Sequence, residues 1–157
     1  MSQDAEKLKT VNPKDALKEV SALSSGILDS TGLHGEVTDG GPTPVTFDKP
    51  KGQFTVQHDW SIWKMSPDDL TTGFERLRQE LPKRGWKITH YGRANSRAQQ
   101  LQIKARHEKD GSFLSAELLI RSTREGADAA SSKTDLINFT VSSPTYKTPD
   151  GIDPNGY

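Results

Sequence analysis

The stretch Gln53-Phe54-Thr55-Val56-Gln57-His58-Asp59-Trp60-Ser61-Ile62-Trp63 (QFTVQHDWSIW) decides how this chain is read. Phe54, Val56, His58, Trp60 and Ile62 share one parity, and a more polar set shares the other. Successive side chains of an extended strand point to opposite faces, so this alternation predicts a strand buried on one side. The same stretch places a His beside an Asp, and a Ser three residues before Lys64. As a strand it separates them. His58 points with Trp60 toward the core, and Asp59 points with Ser61 and Trp63 away from it. A carboxylate on the opposite face cannot orient an imidazole base. Ser61-Ile62-Trp63-Lys64 has the S-x-x-K spacing of penicillin-recognising enzymes, but the companion S-D-N and K-T-G elements are missing. That chemistry also needs both side chains on one side of a helix turn, so residues 53–63 are read as structural.

Outward from this strand, two helices share a start signal. Asn12-Pro13-Lys14-Asp15 and Ser66-Pro67-Asp68-Asp69 each offer a capping side chain, a Pro at the first helical position and an Asp near the positive end of the dipole. The first helix runs to about Asp29, with Ala16, Val20, Leu23 and Ile27 on one stripe and Gly32 as its stop. The second presents Leu70, Phe74, Leu77 and Leu81 to the core and closes at Pro82 and Gly85. Four more strands follow by alternation: Trp86, Ile88 and His90; Leu101, Ile103, Ala105 and His107; Leu114, Ala116, Leu118 and Ile120; Ile137, Phe139 and Val141. Lys109-Asp110-Gly111 makes a hairpin turn between the second and third of these.

The expected fold is therefore α+β: an antiparallel five-stranded sheet with two helices on one face, in the order α-β-α-β-β-β-β. Residues 1–12 are expected to form a disordered tail and 13–145 a single domain. Within it, 39–51 and 122–133 are read as flexible loops, and 146–157 as a flexible C-terminal tail. The 157 residues suffice for one core, although only 31% are hydrophobic and 27% are charged. No apolar run is long enough to span a bilayer, and the start, MSQDAEKLKT, lacks a secretory pattern. The chain then reads as cytoplasmic or as a segment following an anchor. The absence of cysteine removes disulfides, thiolate zinc sites and thiol nucleophiles.

The histidines invite a metal hypothesis, because His58, His90 and His107 all have core-facing parity. With His90 ending one strand before the Gly92–Arg97 turn, and His107 ending the strand that returns, the two are expected roughly 20 Å apart. Zinc ligands lie about 2 Å from one point, so no metal and no cofactor is expected. The phosphate-loop, dinucleotide, zincin, nucleophile-elbow and EF-hand patterns are absent. Asn138-Phe139-Thr140 fits the glycosylation sequon, a short match with no weight unless the host glycosylates.

Charge is the remaining signal. Residues 75–107 hold nine Lys/Arg against two Glu in a chain of zero net charge. The outward parity of the sheet carries Trp63, Lys87, Tyr91, Gln100, Gln102, Lys104, Arg106, Phe113 and Leu119. Of these, Trp63, Lys87, Tyr91, Gln102, Lys104 and Arg106 are the candidate ligand surface. An open platform of cations and aromatics suits a single-stranded nucleic acid or another anionic polymer. The blander alternative is a solvated face partly covered by 39–51 and the tail.

The run Ile27-Leu28-Asp29-Ser30-Thr31-Gly32-Leu33 with Glu36-Val37-Thr38-Asp39-Gly40-Gly41-Pro42 resembles small predicted lipoproteins of Streptomyces and related actinobacteria. So do His58-Asp59-Trp60-Ser61 and the helix ending Arg76-Leu77-Arg78-Gln79-Glu80-Leu81-Pro82-Lys83-Arg84-Gly85-Trp86. The resemblance covers about residues 14–145 and carries no catalytic signature. It implies an extracytoplasmic domain, held at the membrane only through a lipid anchor that this chain does not contain. The function expected on these grounds is a non-enzymatic binding or interaction domain of the cell envelope, monomeric, its partner another envelope protein or an anionic polymer. The alternatives are an anionic-polymer binder using the basic sheet face, and a hydrolase assembled from His34, Asp59, His90 and Arg93.

Overall fold

The computed structural model describes residues 8–47, 51–95, 99–122 and 134–155. Helices α1 (Pro13–Thr31) and α2 (Pro67–Glu80) start where the capping residues predict. The Asn12 side chain accepts the Lys14 N–H at 3.0 Å, and the Ser66 hydroxyl accepts the Asp69 N–H at 3.1 Å. Gly32 terminates α1 in the left-handed region, at φ 67°, where a side chain is strained. α2 tightens into a 3-10 turn over Leu81–Arg84.

Among the described residues the sheet has eight strands: β1 (Glu36–Val37), β2 (Thr43–Thr46), β3 (Gln53–Trp63), β4 (Trp86–Arg93), β5 (Leu101–His107), β6 (Phe113–Leu119), β7 (Leu136–Ser142) and β8 (Tyr146–Lys147). Their order is β1-β3-β7-β6-β5-β4, with β2 and β8 also paired to β3, and every strand pairing is antiparallel. The fold is α+β, as expected. The five long strands are those the alternation predicts, and the three short ones are additions. β2 lies within the segment read as a loop, and β8 within the segment read as a tail. Elements of two to four residues are too short to show a period. The chain before α1 is also tied down from Lys9 onward: the Val11 N–H donates to the Lys147 carbonyl at 3.0 Å, and the Lys147 N–H donates to Lys9 at 2.8 Å. Residues 1–7, Arg97 and most of the 122–133 segment lie outside the described residues.

Both helices pack on one face, touching each other and the strands β3, β6 and β7. Leu70, Phe74, Leu77 and Leu81 are fully buried there, as are Ala16, Val20 and Ile27, while Leu23 is partly so. Beneath them lie Phe54, Val56, Trp60 and Ile62 of β3 and the inward residues of β5, β6 and β7. The parity of residues 53–63 is thus the parity of the core. Across the break between β7 and β8, the Ser143 hydroxyl accepts the Val56 N–H at 2.8 Å, so β3 keeps a partner where the ladder is interrupted.

One strand departs from strict alternation. Ile88 pairs with Ala105, but His90 pairs with Lys104, so Thr89 is an extra residue in a β-bulge. Beyond the bulge the faces exchange. His90 joins Lys104 on the outer face, and Tyr91 turns with Ile103 toward the helices.

Candidate ligand surface

Among the described residues no element packs over the face away from the helices. None of the outward residues of the five long strands is buried, from Gln57 and Asp59 on β3 to Lys87 and His90 on β4. A covered sheet would bury the middle strand on both sides; instead Asn138, Thr140 and Ser142 of β7 stay half-exposed.

The strand register sets these residues in rows. One row runs Gln57, Ser142, Phe113, Arg106, Lys87; the next runs Asp59, Thr140, Ser115, Lys104, His90. A third carries Ser61, Asn138, Glu117, Gln102 and Gly92. Positive charge therefore collects at one corner, on β4 and β5, where Lys87, Lys104 and Arg106 have no ion-pair partner among the described residues. The carboxylates of this face bound that corner. Asp59 sits at the far end of its row, held by the Thr140 hydroxyl at 2.8 Å, and Glu117 accepts from Gln100.

Four of the six residues expected on this surface, Lys87, Gln102, Lys104 and Arg106, are brought together. Trp63 is on the same face but lies on β3, three strands across and four residues along from Lys104 by the register. At about 4.8 Å per strand and 3.3 Å per residue that is roughly 20 Å. Tyr91 is not on this face at all. The bulge sends it to the helix side, where its hydroxyl donates to the Glu75 carboxylate and Arg78 stacks 4.9 Å above its ring. Arg78 also donates to Glu75 at 3.0 Å, so the three residues clamp α2 to β4. The Tyr91 hydrogen bond holds the Glu75 carboxyl below its ordinary range, and the same bond raises the phenol.

Two residues of the corner escaped the sequence reading. Strict alternation predicts His90 on the core face, and the bulge puts it outside. Lys109, at the tip of the β5–β6 hairpin, lines an open cleft of about 440 Å³ with Lys87, Arg106, His107, Glu108, Asp110 and Gly111. A signal for the bulge was present: after Trp86 and Ile88 the next large aromatic falls at 91 rather than 90, which breaks the period of two.

The enzyme-like groups do not assemble. His58 faces α1, its Nδ1 2.8 Å from the Ser24 hydroxyl, while Asp59 bonds Thr140 and Gln57 on the opposite face. Ser61 donates to Asn138, and Lys64 turns to Glu36 at 3.8 Å. Asp59 and His90 occupy the two ends of one five-strand row, about 19 Å apart at the usual strand spacing. The separation expected for His90 and His107 needs correction. β4 continues to Arg93, so His90 is mid-strand and only three residues along from His107, about 10 Å. Opposite faces, not distance, keep those two apart. Among the described residues no three His, Asp or Glu side chains converge as a metal site, and no helix is long and apolar enough to cross a membrane.

Burial lowers the His58 imidazole below its ordinary value of 6.5, against smaller opposing effects from a Gly40 backbone hydrogen bond and the Asp59 charge. A depressed folded-state value means the unfolded chain binds the proton more readily. The stability His58 contributes is thus present above about pH 6.5 and is lost as pH falls through the folded value. Urea midpoints at about pH 7.5 and pH 5.5 are expected to fall further for the wild type than for His58→Gln. Equal falls overturn this assignment. Comparison with protein-family models, with curated proteins and with solved structures finds no match to this chain.

Proposed function

We propose that this chain is a non-enzymatic binding domain that takes an anionic partner on the cationic corner of its open sheet face. The supporting observation is the set Lys87, Lys104 and Arg106, neighbours on two adjacent strands, exposed or half-exposed, with no carboxylate at ion-pair distance among the described residues; Glu108 and Asp110 line the adjoining cleft without pairing to them. Unpaired cations held together on a rigid sheet carry a standing repulsion that an anion relieves, and a polyanion gains further by releasing its counterions. The separation of His58 from Asp59, and of Asp59 from His90, favours binding over catalysis. The resemblance to actinobacterial lipoproteins adds a location to the proposal: the outer side of the cell membrane.

Anisotropy titration of a labelled single-stranded oligonucleotide and of a poly(glycerol phosphate) chain tests the reading. Affinity for at least one is expected to fall steeply between about 20 and 150 mM salt, with a log–log slope of about −2 for three cations on a single strand. Lys104→Glu with Arg106→Glu is expected to weaken binding by at least about tenfold at the lower salt. If neither polymer binds at low ionic strength, the proposal fails.

A further inference from the structure

The cationic corner can contact only a short length of any polyanion. Along the strands it spans the Lys87–Arg106 row and the His90–Lys104 row, and the next row already carries Glu117. Across the strands it is two wide, because β6 contributes no cation to either row. At ordinary sheet spacings this is a patch of about 7 Å by 5 Å, enough for one phosphate group with its neighbours.

The hairpin beside it adds an open cleft. Lys87, Arg106 and Lys109 line one cleft, and none has an ion-pair partner among the described residues. The Arg106 guanidinium lies over the turn, its Nη2 3.7 Å from where a Cβ on Gly111 would stand. Gly111 takes φ 80°, a conformation that suits glycine and lets the turn close against the cation. The backbone N–H groups of Lys109 and Asp110 make no hydrogen bond among the described residues. Glu108 and Asp110 also line the cleft, leaving it with three cations against two carboxylates; Glu108 is exposed, and Asp110 is committed within the turn, where its Oδ1 accepts the Ser112 N–H at 2.7 Å and lies 3.3 Å from His107 Nδ1. The His107 ring is fixed in turn by an edge-on contact with Trp86, centroids 4.9 Å apart.

Directly opposite Arg106 in the register is Phe113, a large aromatic beside the cations on this face, and it is 41% exposed. Opposed residues of adjacent antiparallel strands have Cβ atoms about 5 Å apart, so Phe113 and the cleft flank Arg106 from its two sides. From Lys87 to Phe113 is two strand spacings, about 10 Å. That is a place for one phosphate and one flat ring joined by a short linker, since any planar base can stack on an aromatic face.

We infer that the corner is a nucleotide subsite, with the phosphate in the cleft of Lys87, Arg106 and Lys109 and the base on Phe113. It rests on the proposed function and narrows its ligand to a phosphorylated unit bearing a planar ring, either a free nucleotide or one residue of a single strand.

The test is a set of ¹H–¹⁵N correlation titrations of the full chain with adenosine monophosphate, inorganic phosphate, glycerol phosphate and adenosine. Adenosine monophosphate is expected to shift the amides of His107–Gly111 and of Phe113, and inorganic phosphate the first group alone. Phe113→Ala is expected to weaken adenosine monophosphate by about fivefold or more and leave phosphate binding unchanged. Arg106→Ala is expected to weaken both by about tenfold. A hexanucleotide binding more tightly at the same amides identifies a strand as the source; equal affinity identifies the free nucleotide. If glycerol phosphate binds as well as adenosine monophosphate, and Phe113→Ala changes neither, the ring subsite is refuted. If an anionic polymer binds but these amides stay still with every small probe, the inference falls while the proposed function stands. If nothing binds, both fall.

Discussion

Phe139→Ala is expected to lower the unfolding free energy by about 3–5 kcal/mol, the range for removing a fully buried phenyl ring. Phe139 is at the centre of β7, wholly inaccessible, with Trp60 of β3 opposite it on one side and Ala116 of β6 on the other. The Trp60 and Phe139 rings stack with centroids 4.1 Å apart and planes inclined by 16°. Both neighbours are poorly suited to filling the space. Ala116 has no side chain to extend, and the Trp60 indole is held from behind by a sheet that cannot contract around a single residue. A domain of this size holds a total of about 5–15 kcal/mol, so the variant is expected to lose much of its margin. Urea denaturation followed by tryptophan fluorescence measures it. Phe113→Ala is the internal comparison: the same truncation at an exposed position on the next strand is expected to cost under about 0.5 kcal/mol. A loss below about 1.5 kcal/mol at Phe139 shows that the centre of the sheet is not packed as described.

That contrast between Phe139 and Phe113 was legible in the sequence, because parity alone sorts them. So were both helix starts, since Asn12-Pro13 and Ser66-Pro67 act through local hydrogen bonds that need no tertiary partner. Strand adjacency was not. The alternation of residues 53–63 says which way Trp63 points but not that β3 lies three strands from β5, because α2 carries the chain across the sheet and sets β4 at the far edge. Trp63 and Lys104 therefore shared a face in the pattern and are separated in space. The bulge at Thr89 was hidden for a related reason. It is a two-versus-one pairing between strands, so its main trace in one strand is a single step out of phase, and that step exchanged His90 for Tyr91. The remaining misses, β1, β2 and β8, exist through pairing with β3 and have too few residues to carry a pattern of their own.

Gly73→Ala tests how α2 is joined to the end of α1, and its sign is expected to depend on one other residue. In an exposed helix interior this substitution stabilises by about 1 kcal/mol, because alanine has less backbone entropy to lose. Here Gly73 is buried, and a Cβ built on it falls 2.4 Å from Cδ1, 2.5 Å from Cγ and 2.7 Å from Cδ2 of Leu33. The whole isobutyl group is in the way, so no single rotation of a terminal methyl clears it. Leu33 follows Gly32, the left-handed end of α1, and its partly buried side chain packs against the core from there. Displacing it loses that packing and strains the turn, at the cost of about 2–4 kcal/mol usual for overfilling a packed site and exposing a leucine. The net expectation for Gly73→Ala alone is a loss of about 1–3 kcal/mol. In a Leu33→Ala background the obstruction is gone, and the same change is expected to stabilise by up to about 1 kcal/mol. A double-mutant cycle by urea denaturation reads the coupling directly. Equal effects of Gly73→Ala in the two backgrounds sever the proposed contact between the α1 terminus and α2, whatever the size of either single effect.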